Sequence, residues 1–452
     1  MSVSCKKERR PILTYVPGQP NKMPYFIEGK AYQGACGRVY PIPVRDQLSD
    51  APVEVEYDVI TLANEHIEVN LLPELGGKVY GAKSKHNGYE FVYQNPVVKP
   101  ALVGLAGPWV SGGIEFNWAQ HHRPTTFAPV EATVQNNPDG SVTCWLGEAE
   151  PFHRLRGAVG ITLYPGKSYL EAKALLYNRT DLPLPFMWWN NLAVRVNPQY
   201  KAVFPPDVEY VSDHDRRAVI SFPVMRGIFE TARPYDYGDG VDGTWYPNIK
   251  IPTSVMVMRG QSEMNFLGGY DFAKNAGTVT VADHYVSVGK KMWTWGEFGR
   301  AWCKNLTDND DRYIELMTGV YTDNQPDFTY LMPGETKEFT QVWYPIQEIG
   351  EVANATIDGA LSCRQEGRKL FLGAIATALF PNARLSVALD GKTIFEKTAS
   401  VAPDRSCLAE TVLPDGAEIN SVRVALESAE GKELVSYVPV RRGVKKKPQA
   451  RS

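Results

Sequence analysis

Val53-Glu54-Val55-Glu56-Tyr57-Asp58-Val59-Ile60-Thr61-Leu62 alternates apolar and polar side chains, and His66 to Leu71 (HIEVNL) repeats the pattern. Successive side chains on a strand point to opposite faces, so a period of two marks a strand with one buried face. The alternation returns in Gly157 to Leu163 (GAVGITL) and in Tyr169 to Leu175 (YLEAKAL). Turn clusters at Asn137-Pro138-Asp139-Gly140 and Tyr164-Pro165-Gly166-Lys167 separate such runs. The 33 Pro and 38 Gly leave long helices little room. Many strands without strand–helix alternation predict an all-β sandwich or barrel.

Working outward, all ten Trp fall between Trp109 and Trp343, and beyond Ile349 the aromatics thin to Phe371, Phe380, Phe395 and Tyr437. This shift predicts a boundary near Tyr344–Glu348. The division is residues 1–50 as an N-terminal extension packing on the sandwich, 51–348 as the large β domain, 349–440 as a small β-sandwich, and 441–452 as a basic tail. In the small domain, Asp390-Gly391 between ARLSVAL and KTIF is a hairpin signal, because both turn residues tolerate positive φ.

Composition narrows the function classes. A net charge of -3 gives no reason to expect nucleic acid as a partner, and no apolar run approaches the roughly 20 residues of a membrane span. The start, MSVSCKKERRPILTY, lacks the apolar stretch of a secretory leader. Six scattered cysteines with no CxxC pair read as reduced thiols. Together these predict a cytoplasmic protein without a membrane partner. Asp236, Asp239 and Asp242, and the run Asp308 to Asp311, miss the calcium-loop spacing and read as polar turns. No phosphate loop, GxSxG elbow or HExxH pattern occurs, so neither a cofactor nor a metal is expected.

Several segments occur in a telling order: Leu72-Pro73-Glu74-Leu75-Gly76-Gly77-Lys78-Val79, Gly88-Tyr89-Glu90-Phe91-Val92-Tyr93, Gly112-Gly113-Ile114-Glu115-Phe116-Asn117-Trp118, His121-His122-Arg123-Pro124, Tyr313-Ile314-Glu315-Leu316-Met317-Thr318-Gly319, Gln325 and Leu331-Met332-Pro333-Gly334-Glu335. Over roughly residues 20–348 the chain resembles the galactose-mutarotase-like superfamily and, more narrowly, the DUF5107 family. The resemblance implies a supersandwich of two large antiparallel sheets with a sugar on its concave face. It also implies tetratricopeptide repeats, either as a partner or as missing C-terminal repeats, since in that family such a domain often precedes them.

Sugar sites need flat apolar surfaces and planar polar groups. Trp188-Trp189-Asn190-Asn191 and Trp293-Thr294-Trp295-Gly296-Glu297 place the two together. On a strand Trp293 and Trp295 share a face, and Glu297 joins them if the strand persists. Proton transfer to a sugar oxygen needs a His or carboxyl tuned near neutrality. His121 and His122 follow the Gly112-Gly113 turn, with Arg123 next; on a strand only one of the two would enter a cleft.

Mutarotases commonly use one His and one Glu. The superfamily's acid histidine maps best onto Asn191, an amide that cannot shuttle a proton. This departure turns the expectation toward a carboxyl pair, as in glycoside hydrolysis. The resulting expectation is a carbohydrate-active enzyme, glycoside hydrolase-like, with Glu115 and Glu315 as the pair and His121 and Glu297 as further catalytic candidates. His122, Arg123, Trp118, Trp188, Asn190, Asn191, Trp293 and Trp295 would bind the sugar. An aldose 1-epimerase and a non-catalytic carbohydrate-binding or sensing domain are the alternatives.

Overall fold

The computed structural model describes residues 2–22, 42–119, 121–151, 153–214, 218–229, 234–325 and 327–440. The basic tail 441–452 and Cys36 lie outside them. The alternating runs of the sequence are strands, and they assemble into two large antiparallel sheets.

The first sheet has twelve strands. It runs from Ser4–Thr14 through Val53–Ala63, Ile67–Leu72, Lys78–Ser84, Ile114–Trp118, Trp188–Arg195, Tyr313–Val320, Gly289–Thr294, Thr253–Val257 and Tyr210–Asp213 to Ala218–Ser221, with Glu90–Val92 beside Lys78–Ser84. The second sheet has eight strands, in the order Tyr200–Val203, Phe266–Asp271, Ala276–Ala282, Thr336–Gln347, Leu170–Tyr177, Arg156–Leu163, Val142–Ala149, Glu131–Asn136. This is the supersandwich that the resemblance implied. One boundary moves: Ser4–Thr14 does not lie on the sandwich as an extension but joins the sheet as its edge, paired with Val53–Ala63 over its whole length.

Between the sheets lies one apolar core. Ile114, Phe116, Trp118, Trp188, Leu192, Val194, Ile314 and Leu316 meet Val159, Ile161, Leu170, Ala172, Phe339 and Trp343 there. A glutamine within it gathers several of the buried polar groups. Gln341 Oε1 accepts from Trp188 Nε1 at 3.2 Å and from Asn190 Nδ2 at 2.7 Å, while its Nε2 donates to Ser287 Oγ at 3.2 Å and Thr318 Oγ1 at 2.9 Å. One glutamine thus ties the middle of one sheet to the middle of the other.

Two four-stranded sheets within 354–437 enclose a separate core of Leu361, Leu372, Leu385, Val387, Val424 and Leu426. Asp390 and Gly391 take φ of 48° and 77° and join Phe380–Leu389 to Lys392–Val401, the hairpin that the Asp-Gly pair predicted. This sandwich packs through Ile349, Val352, Ala360 and Ile375 on Val342, Tyr344 and Ile346, the outer face of the eight-stranded sheet. Among the described residues no helix is long and apolar enough to cross a membrane.

The glutamine clasp makes a stability prediction. Gln341→Leu strands Trp188 Nε1 and the Ser287 hydroxyl, while Thr318 Oγ1 keeps Asn190 Nδ2, so urea unfolding should show a loss of about 2–3 kcal/mol. A loss below about 0.5 kcal/mol would show that the buried polar groups find other partners.

Candidate functional site

Register, not sequence proximity, assembles the site. Asn191 lies opposite Glu115 on one side and Met317 on the other, and Met317 lies opposite Lys291. One step along, Ala193 faces Glu315, Glu315 faces Trp293, and Trp293 faces Ser254. Laterally paired residues share a face. Ile114, Leu192, Leu316 and Met292 alternate with these positions and fill the intersheet core, so Glu115, Asn191, Glu315, Lys291 and Trp293 belong to the outer face. Trp189 lies on that face too, over Gly289 and Gly319. A Cβ on either glycine would come within 2.5 Å of its ring, so only glycine fits beneath it.

Glu115 is 5% exposed and encircled by donors. Its Oε2 accepts from His122 Nδ1 at 2.9 Å, Trp109 Nε1 at 3.0 Å and Asn191 Nδ2 at 3.5 Å, and its Oε1 accepts from Thr126 Oγ1 at 2.6 Å. Burial alone would raise its pKa, but His122, His121 and Lys78 overcome that and hold the carboxyl well below the usual carboxylate range. Glu115 is therefore an ionised anchor.

Glu315 is as deeply placed, at 6% exposure, and behaves in the opposite way. Burial raises its pKa to about 7, with the Glu115 charge adding to the rise and His122, Lys291 and Lys78 opposing it. Two carboxyls on one face thus differ in protonation near neutrality because one has saturating donors and the other does not.

His121 and His122 follow the Ile114–Trp118 strand in a loop, not on a strand, and both turn toward Glu115. Their ring centroids are 3.8 Å apart. The expectation that only one enters the site therefore fails, because strand alternation does not apply to them. His121 Nε2 lies 3.2 Å from Asn191 Nδ2. Burial, then the neighbouring His122 charge, push the His121 pKa well below its ordinary value, so its imidazole is neutral at pH 7.

Two lysines complete the charge pattern. Lys78 Nζ donates to Val110 O at 2.8 Å and Lys291 Nζ to Gln325 Oε1 at 2.6 Å. Burial lowers both to about 8, with Glu315 opposing the shift in each and Glu115 in Lys78. Tyr93, Trp109, Tyr313, Trp293 and Trp295 form an apolar cluster around this ground. Trp293 and Trp295 meet edge to face at 4.4 Å, and Trp295 stacks on the exposed Trp302 at 5.9 Å.

The structure thus brings together Glu115, Glu315, His121, His122, Asn191 and Trp293, with Trp295 beside them. The other candidates lie elsewhere. Trp118, Trp188 and Asn190 have the opposite strand parity and are buried between the sheets. Arg123 stacks on Trp118 at 3.8 Å and pairs through Nε with Glu148 at 3.2 Å, so it braces the two sheets. Glu297 is exposed in a turn, because the strand stops at Thr294 and Gly296 takes φ +64°. The Asp308–Asp311 acids serve as ion-pair partners: Lys99 for Asp308, Arg300 for Asp310 and Arg195 for Asp311.

The family model described as "Domain of unknown function (DUF5107)" matches residues 35–346, and one described as "YphG-like protein, second domain" matches 354–437. This chain belongs to the DUF5107 family. Its fold is shared with a TPR-domain containing protein from Parabacteroides distasonis, at 24% identity and a TM-score of 0.65. That match covers 76% of this chain and 55% of the other, so the chain spans about half of that protein's length. A galactose mutarotase-like protein from Clostridium acetobutylicum matches at 11% identity and a TM-score of 0.44, covering 64% of this chain and 96% of that one.

In this DUF5107 chain, sequence reasoning passed over Lys78, Trp109, Trp189, Lys291 and Gln325 as site residues. A signal existed for Lys291: a lysine inside the apolar run VGKKMWTW has to find a partner.

Glu315 supplies a pH prediction. Its folded pKa of about 7 lies above the ordinary 4.5, so in that window the folded state holds a proton that the unfolded chain has lost. Stability is unaffected below pH 4.5, falls as pH rises toward 7, and stays reduced above it. Glu315→Gln removes this penalty. Its stability relative to wild type should therefore improve between pH 5 and pH 8, by up to about 3 kcal/mol in urea unfolding. A difference independent of pH would mean that Glu315 titrates as an ordinary carboxyl.

Proposed function

We propose that this protein is a carbohydrate enzyme that moves protons at the anomeric centre of a free sugar, in the manner of an aldose 1-epimerase. The observation that carries this reading is the placing of buried Glu315, poised at about 7, on the sheet face of Glu115, which holds His122, with His121 beside it. A group poised near the working pH can both take and return a proton. In the ionised form Glu315 would accept the proton of the C1 hydroxyl. An imidazole N–H would donate to the ring oxygen as the C1–O5 bond opens. Rotation about C1–C2 and the reverse transfers close the ring as the other anomer. Trp293, Trp295, Tyr313 and Trp109 offer apolar surface for the C–H faces of the ring.

This reading shifts the earlier emphasis on a hydrolytic carboxyl pair. All the donors around Glu115 bind a carboxylate that is already spoken for, which suits an orienting group better than a nucleophile. Asn191, an amide where the superfamily places its acid histidine, has His121 Nε2 3.2 Å away. A loop histidine can thus supply what the strand lacks. Carbohydrate is the proposed partner. A tetratricopeptide-repeat segment or partner remains part of the proposal, because the Parabacteroides distasonis relative is a TPR-domain containing protein. We place the activity in the cytoplasm, in keeping with the free thiols of Cys5, Cys144, Cys303, Cys363 and Cys407.

The test is polarimetry of freshly dissolved α-aldoses, with a panel of hexoses and pentoses. Wild-type protein should accelerate anomer interconversion, and Glu315→Gln should reduce the rate at least a hundredfold. His122→Asn should reduce it by a smaller factor. Sugar binding without acceleration would make the protein a sensing module. Release of reducing sugar from glycosides that depends on both Glu115 and Glu315 would restore the hydrolase reading.

A further inference from the structure

We propose that Glu115, His121 and His122 are the protein ligands of one divalent transition-metal ion. One donor atom from each of the three lies within 4.8 Å of the others. Two imidazoles and one carboxylate form the three-ligand set that leaves a coordination position open for water or substrate, as in catalytic zinc sites. Imidazole nitrogen favours zinc, cobalt, nickel or iron over calcium or magnesium, which prefer oxygen.

The surroundings are those of a metal site. Trp109 Nε1 and Thr126 Oγ1 donate to the two Glu115 carboxylate oxygens, which is how outer hydrogen bonds orient a ligand. Asn191 closes the cluster on the strand side. It is 3% exposed, its Nδ2 lies against Glu115 Oε2 and His121 Nε2, and its Oδ1 has no hydrogen-bond partner.

Little movement is required. Metal–ligand bonds of about 2.0–2.1 Å in tetrahedral geometry separate the donor atoms by roughly 3.4 Å. His122 Nδ1 and Glu115 Oε2 are 2.9 Å apart, so the pair opens by about half an ångström. The proton they now share is what the ion displaces. Lys78, which balances Glu115 from the Val110 side, opposes a second cation, so the affinity should be on the order of micromolar, weaker than in structural zinc sites. Glu315 is outside the ligand set and stays available as a base. The inference shares its site with the sugar reading and deepens it by naming an electrophile, but it does not depend on the reaction.

The experiment uses the full chain, stripped with chelator and titrated without sugar. Isothermal titration with ZnCl2 should show one equivalent bound, weakened at least tenfold in Glu115→Gln, His121→Asn and His122→Asn. His66→Asn should leave it unchanged; that residue belongs to the imidazole pair His66–His86, whose nitrogens are 2.8 Å apart. Visible absorption of the wild-type protein with CoCl2 should show the intense bands of a four- or five-coordinate ion, a readout that needs no variant to fold. Absence of binding, or binding that survives His121→Asn and is lost in His66→Asn, overturns the proposal. With no sugar present, failure here leaves the polarimetric test of Glu315 standing, and the reverse also holds.

Discussion

The Trp188–Arg195 strand is buried on both faces, and the rest of the structure is arranged around that constraint. Its even-numbered residues face the intersheet core and its odd-numbered ones face the site. Polar side chains on such a strand have to look for partners within the protein, since an unpaired buried polar group costs about 1–3 kcal/mol. Asn190 meets Gln341 across the core. Asn191 meets Glu115 and His121 on the other side. Two adjacent asparagines thus do unrelated work: one closes the sandwich and the other belongs to a charged cluster.

The site shows the same chemistry yielding opposite behaviour. Glu115 and Glu315 are equally buried glutamates on one sheet face, two strands apart. What separates them is the supply of donors. Glu115 is ringed by imidazole, indole, hydroxyl and amide, so its charge is stabilised inside the protein. Glu315 has only the more distant attraction of His122 and of two lysines whose ammonium groups are committed to Val110 and Gln325. Desolvation therefore wins at Glu315 and loses at Glu115.

Much of this was legible beforehand. Period-two alternation gave the strands, the Asp-Gly pair gave a hairpin, and the ordered motifs gave the two-sheet architecture. Within the motifs, Glu115, His121, His122 and Glu315 stood out as titratable side chains, and the fold brings them together. The errors share a cause, which is parity and termination. Assigning neighbours on opposite faces to one site put Trp188 and Asn190 beside Asn191 and left out Trp189. A strand taken to continue past Thr294 put Glu297 beside Trp293.

Sequence by itself therefore determined the all-β class and the set of residue types available for chemistry, because both are local properties of periodicity and composition. Tertiary structure alone decided which of those residues meet. Glu115, Asn191, Lys291 and Glu315 come from four strands that are distant in the chain, and only cross-strand register brings them onto one face. It also decided what each group is: whether a buried carboxyl is an anchored charge or a poised acid depends on the donors around it, and those are supplied by the fold.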